Sequence, residues 1–300
     1  MTLAAPPVPA YRPFAAAVTR VQRLSPSFLR VTFTGPSFDE LAPNGWDQRI
    51  KVLLPTARGL GDCPSGDDWY AEWRALPEER RNPMRTYTVR AARPELREID
   101  VDFVLHGATG PASAWAEQAT AGHEVVLIGP NARFHGPTGG FEWNPPAEAE
   151  CLIVAGDETA VPAVCAIVES LPQDRPARVF MEVPEAGDML PLTVPAGVEV
   201  TWLPRGRVDV PLGGPLTCAV VAAVRELADE RPPVPAPDPE DDDAVLPWDV
   251  PEQSPGSPLY AWLAGEAGVV TGQRRRLVRL GVDRRSVAFM GYWRADRSAD

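Results

Sequence analysis

The feature that most limits what this chain can fold into is a change of rhythm near residue 145. Before Gly139–Glu150, apolar and polar residues alternate. After it, apolar residues come in short unbroken runs separated by helical patterns. The stretch itself carries Pro145-Pro146 and reads as a linker. Two halves with different periods need two differently built cores, and 300 residues with a 44% hydrophobic share suffice for both. We place the domains at 1–140 and 141–300.

In the first half, Phe14–Leu24 and Phe28–Gly35 read as strands joined by the turn Ser25-Pro26-Ser27. Gln48–Pro55, Met84–Arg90, Glu98–Leu105 and His123–Gly129 are four more. Arg58–Pro83 is loop-like, with a helical turn at Trp69–Ala75. Ala112–Gln118 reads as a short helix with Pro111 at its first position. Six antiparallel strands and one short helix make a small barrel. In the second half, Cys151–Ala155 is a strand buried on both faces. Helices at Thr159–Ser170, Pro215–Leu227 and Glu266–Leu280 alternate with strands at Arg178–Val183, Val198–Leu203, Leu259–Ala264 and Ser286–Gly291. That order predicts an α/β domain with a mostly parallel, Rossmann-like sheet. Residues 229–258 interrupt it with repeated prolines and acids, a composition that buries too little apolar area to order itself.

The formal charge of −12 argues against a nucleic-acid or anionic-membrane surface. Most of it sits at Asp229–Glu252, which holds nine acids and one base, so the remainder is close to balanced. No apolar run is long enough to span a bilayer, and Met1–Tyr11 lacks the pattern of a signal peptide. Cys63, Cys151, Cys165 and Cys218 are scattered without a CxxC, and three lie in apolar runs as buried thiols do. With only three histidines, neither disulfides nor a metal site are expected, and a reducing cytoplasm fits.

Chemistry concentrates first at Met84-Arg85-Thr86-Tyr87-Thr88-Val89-Arg90. In a strand Arg85 and Tyr87 share one face, with Thr86 and Thr88 on the other. A guanidinium for phosphate, a ring for stacking and a hydroxyl for a ring nitrogen suit a flat anionic cofactor. An ordinary strand with a polar rim is the plainer alternative. The second concentration is His106-Gly107-Ala108-Thr109-Gly110-Pro111, a glycine turn opening a helix. Free N–H groups there make a pyrophosphate site, with Gly110, Ala112 and Ser113 small enough to admit it. The third is Gly156-Asp157-Glu158-Thr159-Ala160, which follows the first α/β strand, where ligands gather. It is not a GxGxxG motif, its acids repel a pyrophosphate, and Thr159 alternatively caps the helix. Glu182, Glu185 and Asp188 end the next strand, where an acid can bind a ribose hydroxyl and disfavour a 2′-phosphate.

These pieces, in this order and spacing, resemble the siderophore-interacting proteins, a branch of the ferredoxin-reductase-like flavoproteins. The resemblance covers nearly the whole chain. It runs through Leu24-Ser25-Pro26-Ser27, Asp47-Gln48-Arg49-Ile50-Lys51-Val52-Leu53, the Arg85 strand, His106–Ala116, Gly156–Ala163, Trp262-Leu263-Ala264-Gly265-Glu266 and Gly291-Tyr292-Trp293-Arg294. It implies a six-stranded FAD-binding barrel followed by an NAD(P)H-binding α/β domain. It further implies that Arg85 pairs with FAD phosphate, Tyr87 packs on the isoalloxazine and Thr88 reaches its N5 edge. His106, Gly110, Ala112 and Ser113 would form the second FAD contact, with Trp115 either beside it or in the core. Asp157, Thr159, Ala160 and Glu266 would face flavin and nicotinamide. Tyr292 or Trp293 would lie near the flavin or else anchor the tail. Lys51, the chain's one lysine, stands where the family carries a matching lysine for its anionic ferric chelate; Arg133 and Arg274 are further candidates, Arg274–Arg276 serving equally as a solvated helix face. The implied activity is NAD(P)H-dependent, FAD-mediated reduction of a ferric siderophore by a cytoplasmic monomer. A flavin or ferredoxin-type reductase with another acceptor, and a non-catalytic siderophore carrier, are the alternatives. The acidic insertion departs from the family pattern.

Overall fold

Alternation in the first half becomes seven strands and two short helices: β1 (Tyr11–Arg23), β2 (Phe28–Thr34), β3 (Arg49–Leu53), α1 (Trp69–Ala75), β4 (Met84–Thr88), β5 (Ala91–Arg93), β6 (Glu98–Val104), α2 (Pro111–Gln118) and β7 (Glu124–Pro130). The computed structural model describes residues 8–105, 110–206, 210–229, 248–250 and 257–295. The strands form one antiparallel sheet in the order β4-β3-β7-β1-β2-β6-β5. β4 and β5 stand at its opposite ends, yet only Val89 and Arg90 separate them in the chain. So short a link joins the two ends only because the sheet curls on itself. The Val89 N–H donates to Gln48 O beside β3, and the Arg90 N–H to Asp100 O of β6, both at 2.8 Å.

The barrel interior is filled by Phe14, Val31, Phe33, Val52, Phe103 and Leu127, each at most 1% exposed. α2 closes one end with Ala112 and Ala116. Trp115 stacks on Phe33 with centroids 6.1 Å apart and packs 5.7 Å from Phe103, so this ring belongs to the core. β5 is the strand beyond the expected six. Three residues, Ala-Ala-Arg, carry no readable alternation, and pairing with β6 makes them a strand.

The second half gives β8 (Cys151–Gly156), α3 (Val161–Ser170), β9 (Ala177–Val183), β10 (Val198–Pro204), α4 (Gly214–Asp229), β11 (Trp248–Asp249), β12 (Leu259–Glu266), α5 (Ala267–Arg279) and β13 (Val287–Trp293). The sheet order is β10-β9-β8-β12-β13-β11. The first five strands are parallel, and every residue of β8 is buried, as its unbroken apolar run requires. The order reverses between β8 and β12, which makes their carboxyl ends the topological switch point, where such sheets bind ligands.

Two expectations are corrected here. The stretch 229–258 is not wholly without order: Trp248–Asp249 pairs antiparallel with Met290 and Phe289, and Trp248 stacks on Tyr292 at 5.9 Å. The rest of it, 230–247 and 251–256, lies outside the described residues. Cys218 lies in an apolar run but is exposed on α4, whereas Cys151 and Cys165 are buried. By their contacts, residues 1–24 and 28–141 form one compact unit, and 25–27 with 142–300 form another. No helix among the described residues is long and apolar enough to cross a membrane.

Candidate functional site

In the barrel unit, the β3–β4 register decides which side chains share a face. Val52 pairs with Arg85, Lys51 with Thr86, Ile50 with Tyr87 and Arg49 with Thr88. Directly opposed residues point the same way. Arg85 and Tyr87 therefore share the face of buried Val52 and Ile50, while Lys51, Thr86 and Thr88 share the other. The Tyr87 ring packs on Phe103 with centroids 4.3 Å apart, and Phe103 in turn packs on Trp115 of α2. Burial pushes the Tyr87 phenol above its ordinary pKa, so it remains a neutral ring. Arg85 Nη1 donates to Met84 O at 3.1 Å, which holds the guanidinium along its own strand. Thr88 is buried.

The ring chain Tyr87–Phe103–Trp115 ties β4 to the helix that starts at Gly110. That start has no side-chain cap, and Pro111 occupies its first position. A methyl group added at Gly110 would meet nothing within 4 Å. The Ser113 hydroxyl donates to Val104 O at 3.2 Å, so the approach is made of backbone N–H groups, small residues and open space. An uncapped helix start facing open space suits a phosphate. The same barrel presents an arginine and a flat neutral ring on β4, so the residues present fit a flavin dinucleotide. His106 lies outside the described residues.

On the other face, Lys51 Nζ donates to Thr86 Oγ1 at 2.7 Å. Burial, and then the neighbouring Arg49, lower its ammonium pKa. Arg133 is exposed, but Glu40 takes both its guanidinium and that of Arg12, so its charge is already answered. In the other unit Arg274 is not a plain solvated arginine. Its guanidinium carbon lies 5.2 Å from the centroid of the Phe289 ring, against the sheet. Seven residues into α5, it sits roughly 10 Å from that helix's first turn.

At the switch point of the α/β unit, Asp157 follows β8 and is 3% exposed. Its Oδ1 accepts from the Thr159 N–H (2.9 Å) and hydroxyl (2.5 Å); its Oδ2 accepts from the Glu266 N–H (2.7 Å) and the Trp293 indole N–H (2.8 Å). The alternative reading of Thr159 as helix cap is corrected. α3 begins at Val161 behind Ala160, and the Ala160 and Val161 N–H groups donate to the Asp157 backbone carbonyl. Glu182 is wholly buried and accepts from Gly213 N (2.9 Å), Leu216 N (3.0 Å) and Arg205. Arg205 also forks onto Glu158, with both contacts at 2.7 Å. Glu266 accepts from Val269 N at 2.9 Å. Two of the three helix starts on this edge are thus closed by an acid side chain, α4 by Glu182 and α5 by Glu266, while at α3 no side chain caps the helix and the first N–H groups donate to the Asp157 backbone carbonyl.

Of the three β9 acids read as possible ribose ligands, Glu182 and Asp188 are engaged by the protein itself, and Glu185 is exposed. Glu182 is consumed by α4 and Arg205. Asp188 is equally buried and accepts from Ser25 and Ser27, while Glu185 shares a capping box with it. A groove of about 790 Å³ opens between α4 and α5, lined among others by Gly213, Gly214, Glu266 and Gly268.

Comparison with known proteins connects the two units. The model of the siderophore-interacting FAD-binding domain matches residues 17–134, and that of the siderophore-interacting protein matches 149–296. An uncharacterized protein of Mycobacterium tuberculosis is 33% identical over 94% of this chain and 90% of its own length. The chain belongs to the siderophore-interacting protein family. The ferric vibriobactin reductase ViuB of Vibrio cholerae is 35% identical over 62% of this chain and 64% of its own. The siderophore-interacting protein SipS of Aeromonas hydrophila superposes with a TM-score of 0.65 at 30% identity, covering 96% of this chain and 94% of that one. As in the family, a ferredoxin-reductase-like fold joins an FAD-binding barrel to an α/β unit.

Reading from sequence missed Arg205 and the pairing of Gly265 with Asp157 in this siderophore-interacting protein. The carboxylates of Arg205 lie 47 and 23 residues away in the chain, so no local spacing announces the cluster. Gly265 is different. It has φ +145°, and a Cβ there would stand 2.5 Å from Asp157 Oδ2. A glycine just before a helix-capping acid was a readable sign of close backbone approach.

Proposed function

We infer that this chain is an FAD-dependent ferric-siderophore reductase supplied with electrons by NAD(P)H. One observation carries the reading. The barrel that matches a siderophore-interacting FAD-binding domain presents Arg85 and Tyr87 on one face of β4, and Tyr87 packs through Phe103 on Trp115 of α2, whose start is uncapped. Arg85 and the N–H groups of Ala112 and Ser113 hold phosphate, Tyr87 offers the ring surface and Thr88 its hydroxyl. A flavin held there would supply the exchange between a two-electron donor, a reduced nicotinamide, and a one-electron acceptor, Fe(III). No side chain has to act as acid, base or nucleophile in that electron step; the protein's part is placement and electrostatics.

The chelate is substrate. Lys51 is its first cation, lying on the Thr88 face of β3–β4. Two residues of strand span roughly 7 Å, which sets the spacing along β4 between Thr86, the partner of Lys51, and Thr88. Arg133 and Arg274 are weaker candidates, one answered by Glu40 and the other laid on Phe289. The protein acts in the cytoplasm as a monomer.

The test is anaerobic. The visible spectrum is recorded after incubation with FAD, NADH or NADPH is added, and ferric siderophores of different charge follow. The expected sequence is flavin absorbance, bleaching by the nucleotide, and recovery with the ferric chelate. A protein that stays colourless with FAD defeats the reading; bleaching without recovery on any chelate points to another acceptor.

A further inference from the structure

The Asp157 carboxylate caps no helix; it joins strand ends. Its four hydrogen bonds fasten the turn after β8, the last residue of β12 and the last residue of β13 to one another. The strand ends are packed too closely for rearrangement around a side chain. A Cβ at Gly265 would stand 2.5 Å from Asp157 Oδ2, and one at Gly156 would stand 2.5 Å from the Ala160 Cβ and 3.0 Å from Ala264 O. All four donors are neutral. The charged groups around Asp157 are engaged elsewhere. Glu158, next in the chain, is forked by Arg205 from the segment after β10, which also reaches Glu182 of β9. Glu266 of β12 turns its carboxylate to Val269 N and Ala295 N. Leu212, Gly213 and Leu216 on the α4 side, and Val269 and Val270 on α5, line the adjoining space and carry no titratable group.

We propose that Asp157 is a positioning residue for the crevice at the switch point: as a carboxylate it clasps the ends of β8, β12 and β13 and the Trp293 indole, and on protonation it lets the indole and the Glu266 N–H go. Burial, with the charge of Glu158 second, raises the Asp157 pKa to about 6 against the pull of Thr159, Trp293 and the Glu266 N–H. A proton on Oδ2 would meet two groups that can only donate, and a proton on Oδ1, which the Thr159 hydroxyl can turn to accept, leaves Oδ2 a neutral carbonyl oxygen; either way the bonds from the indole and the Glu266 N–H weaken. The clasp therefore opens within a pH range that leaves an ordinary aspartate untouched. A ligand entering the crevice then meets an edge that is no longer set in advance and binds less tightly. This last step rests on the reading of the crevice as the nicotinamide nucleotide site.

The experiment uses the full chain without flavin, labelled with ¹⁵N. The Trp293 indole N–H signal, identified by its loss in Trp293→Phe, should move with a midpoint near pH 6 between pH 8 and pH 5. In Asp157→Asn it should stay still over that range. An indole signal that does not titrate, or one that titrates equally in Asp157→Asn, overturns the clasp. Trp293→Phe gives a second route should the asparagine variant fail to fold. Losing the indole donor should move the midpoint read at the Thr159 amide upward, and an unmoved midpoint counts against the proposal. NAD⁺ titrated into the same samples should bind several-fold more weakly at pH 5.5 than at pH 7.5, with the difference gone in Asp157→Asn. A pH-independent NAD⁺ affinity overturns the positioning role. A chain that binds no NAD⁺ at any pH while its indole still titrates supports the clasp and sinks the nucleotide reading.

Discussion

Asp100 in the barrel and Asp157 in the α/β unit are both buried, both accept several hydrogen bonds, and titrate in opposite directions. Burial pushes Asp100 up, but Arg93 grips it at 2.7 and 2.8 Å and the Thr32 hydroxyl adds a bond at 2.7 Å, so its carboxyl falls below the usual range. Asp157 receives four hydrogen bonds and no cation, and it rises to about 6. Hydrogen bonds from neutral groups do not repay the desolvation of a charge with Glu158 beside it; a guanidinium fork does. The barrel carboxylate is a permanent anion holding β6 to β5 and β2. The α/β carboxylate sits where a modest pH change alters it.

The helix starts repeat the contrast. α2 of the barrel begins uncapped and faces open space, whereas α4 and α5 are closed by the side chains of Glu182 and Glu266. One unit keeps a phosphate site open. The other fills the starts of α4 and α5 with its own acids, so a nucleotide beside those two helices has to be held by contacts other than a bare helix dipole.

The largest effect is expected from breaking the barrel pair. Asp100→Ala removes the two-pronged partner of Arg93, leaving it Glu98 at 3.1 Å, and strands the Thr32 hydroxyl, a loss of about 3 kcal/mol, the upper end for hydrogen bonds to charged groups. Urea denaturation at pH 7.5 measures it. Because the Asp100 pKa is depressed, its contribution is present above the unfolded value of about 3.9 and is lost as pH falls through the lower folded value. Wild type should therefore keep this stabilisation at pH 5, and the deficit of Asp100→Ala should be equal at pH 5 and pH 7.5. A deficit that grows by pH 5 would make Asp100 resemble Asp157.

Next comes Arg85→Ala, expected to weaken FAD by about 2 kcal/mol, roughly 30-fold, through loss of a charge-assisted phosphate contact. The fold should survive, since Arg85 bonds a main-chain oxygen of its own strand and is no core residue. Flavin retained on gel filtration reads it out. Lys51→Ala lies on the opposite face and should leave flavin untouched while weakening the ferric chelate by about 1 kcal/mol or less, as for an exposed ion pair. Equal loss of flavin in both variants would break the division that the β3–β4 register draws.

The sharing of a face by Arg85 and Tyr87 was legible because strand side chains alternate with period two whatever the tertiary context. The parallel sheet was legible from unbroken runs such as Cys151–Ala155. β5 and β11 were not, since three residues in one case and two in the other become strands only through a partner, β6 or β13. The site shows the same limit. Arg85 could be singled out from its neighbours, but Arg274 could not be told from a solvated arginine without Phe289 beneath it. Asp157 looked like a repellent for phosphate; two of its four donors sit on nearby Thr159, but the other two come from 109 and 136 residues away. Local period is written in the chain, whereas the partners of a buried charge are chosen by the fold.

Asp157→Asn should leave the smallest mark at neutral pH and the clearest one across pH. An amide avoids the desolvation of a charge but offers one acceptor oxygen to four donors, and these opposing changes should keep the net effect at pH 7.5 within about 1 kcal/mol. The sign of the pH dependence follows from the raised pKa. Between the unfolded value of about 3.9 and the folded value of about 6, the native protein binds more protons than the unfolded chain. Wild type therefore loses stability as pH rises through that window, by no more than about 1.4 kcal/mol per unit from this group. Asparagine carries no such dependence. Measured by urea at pH 4.5, 5.5, 6.5 and 7.5, the stability of Asp157→Asn relative to wild type should climb up to about pH 6 and then level off. Asp100→Asn, measured alongside, should show no climb in the same window. If both variants trace flat lines, Asp157 is as permanently charged as Asp100, and four neutral donors have done the work of a guanidinium.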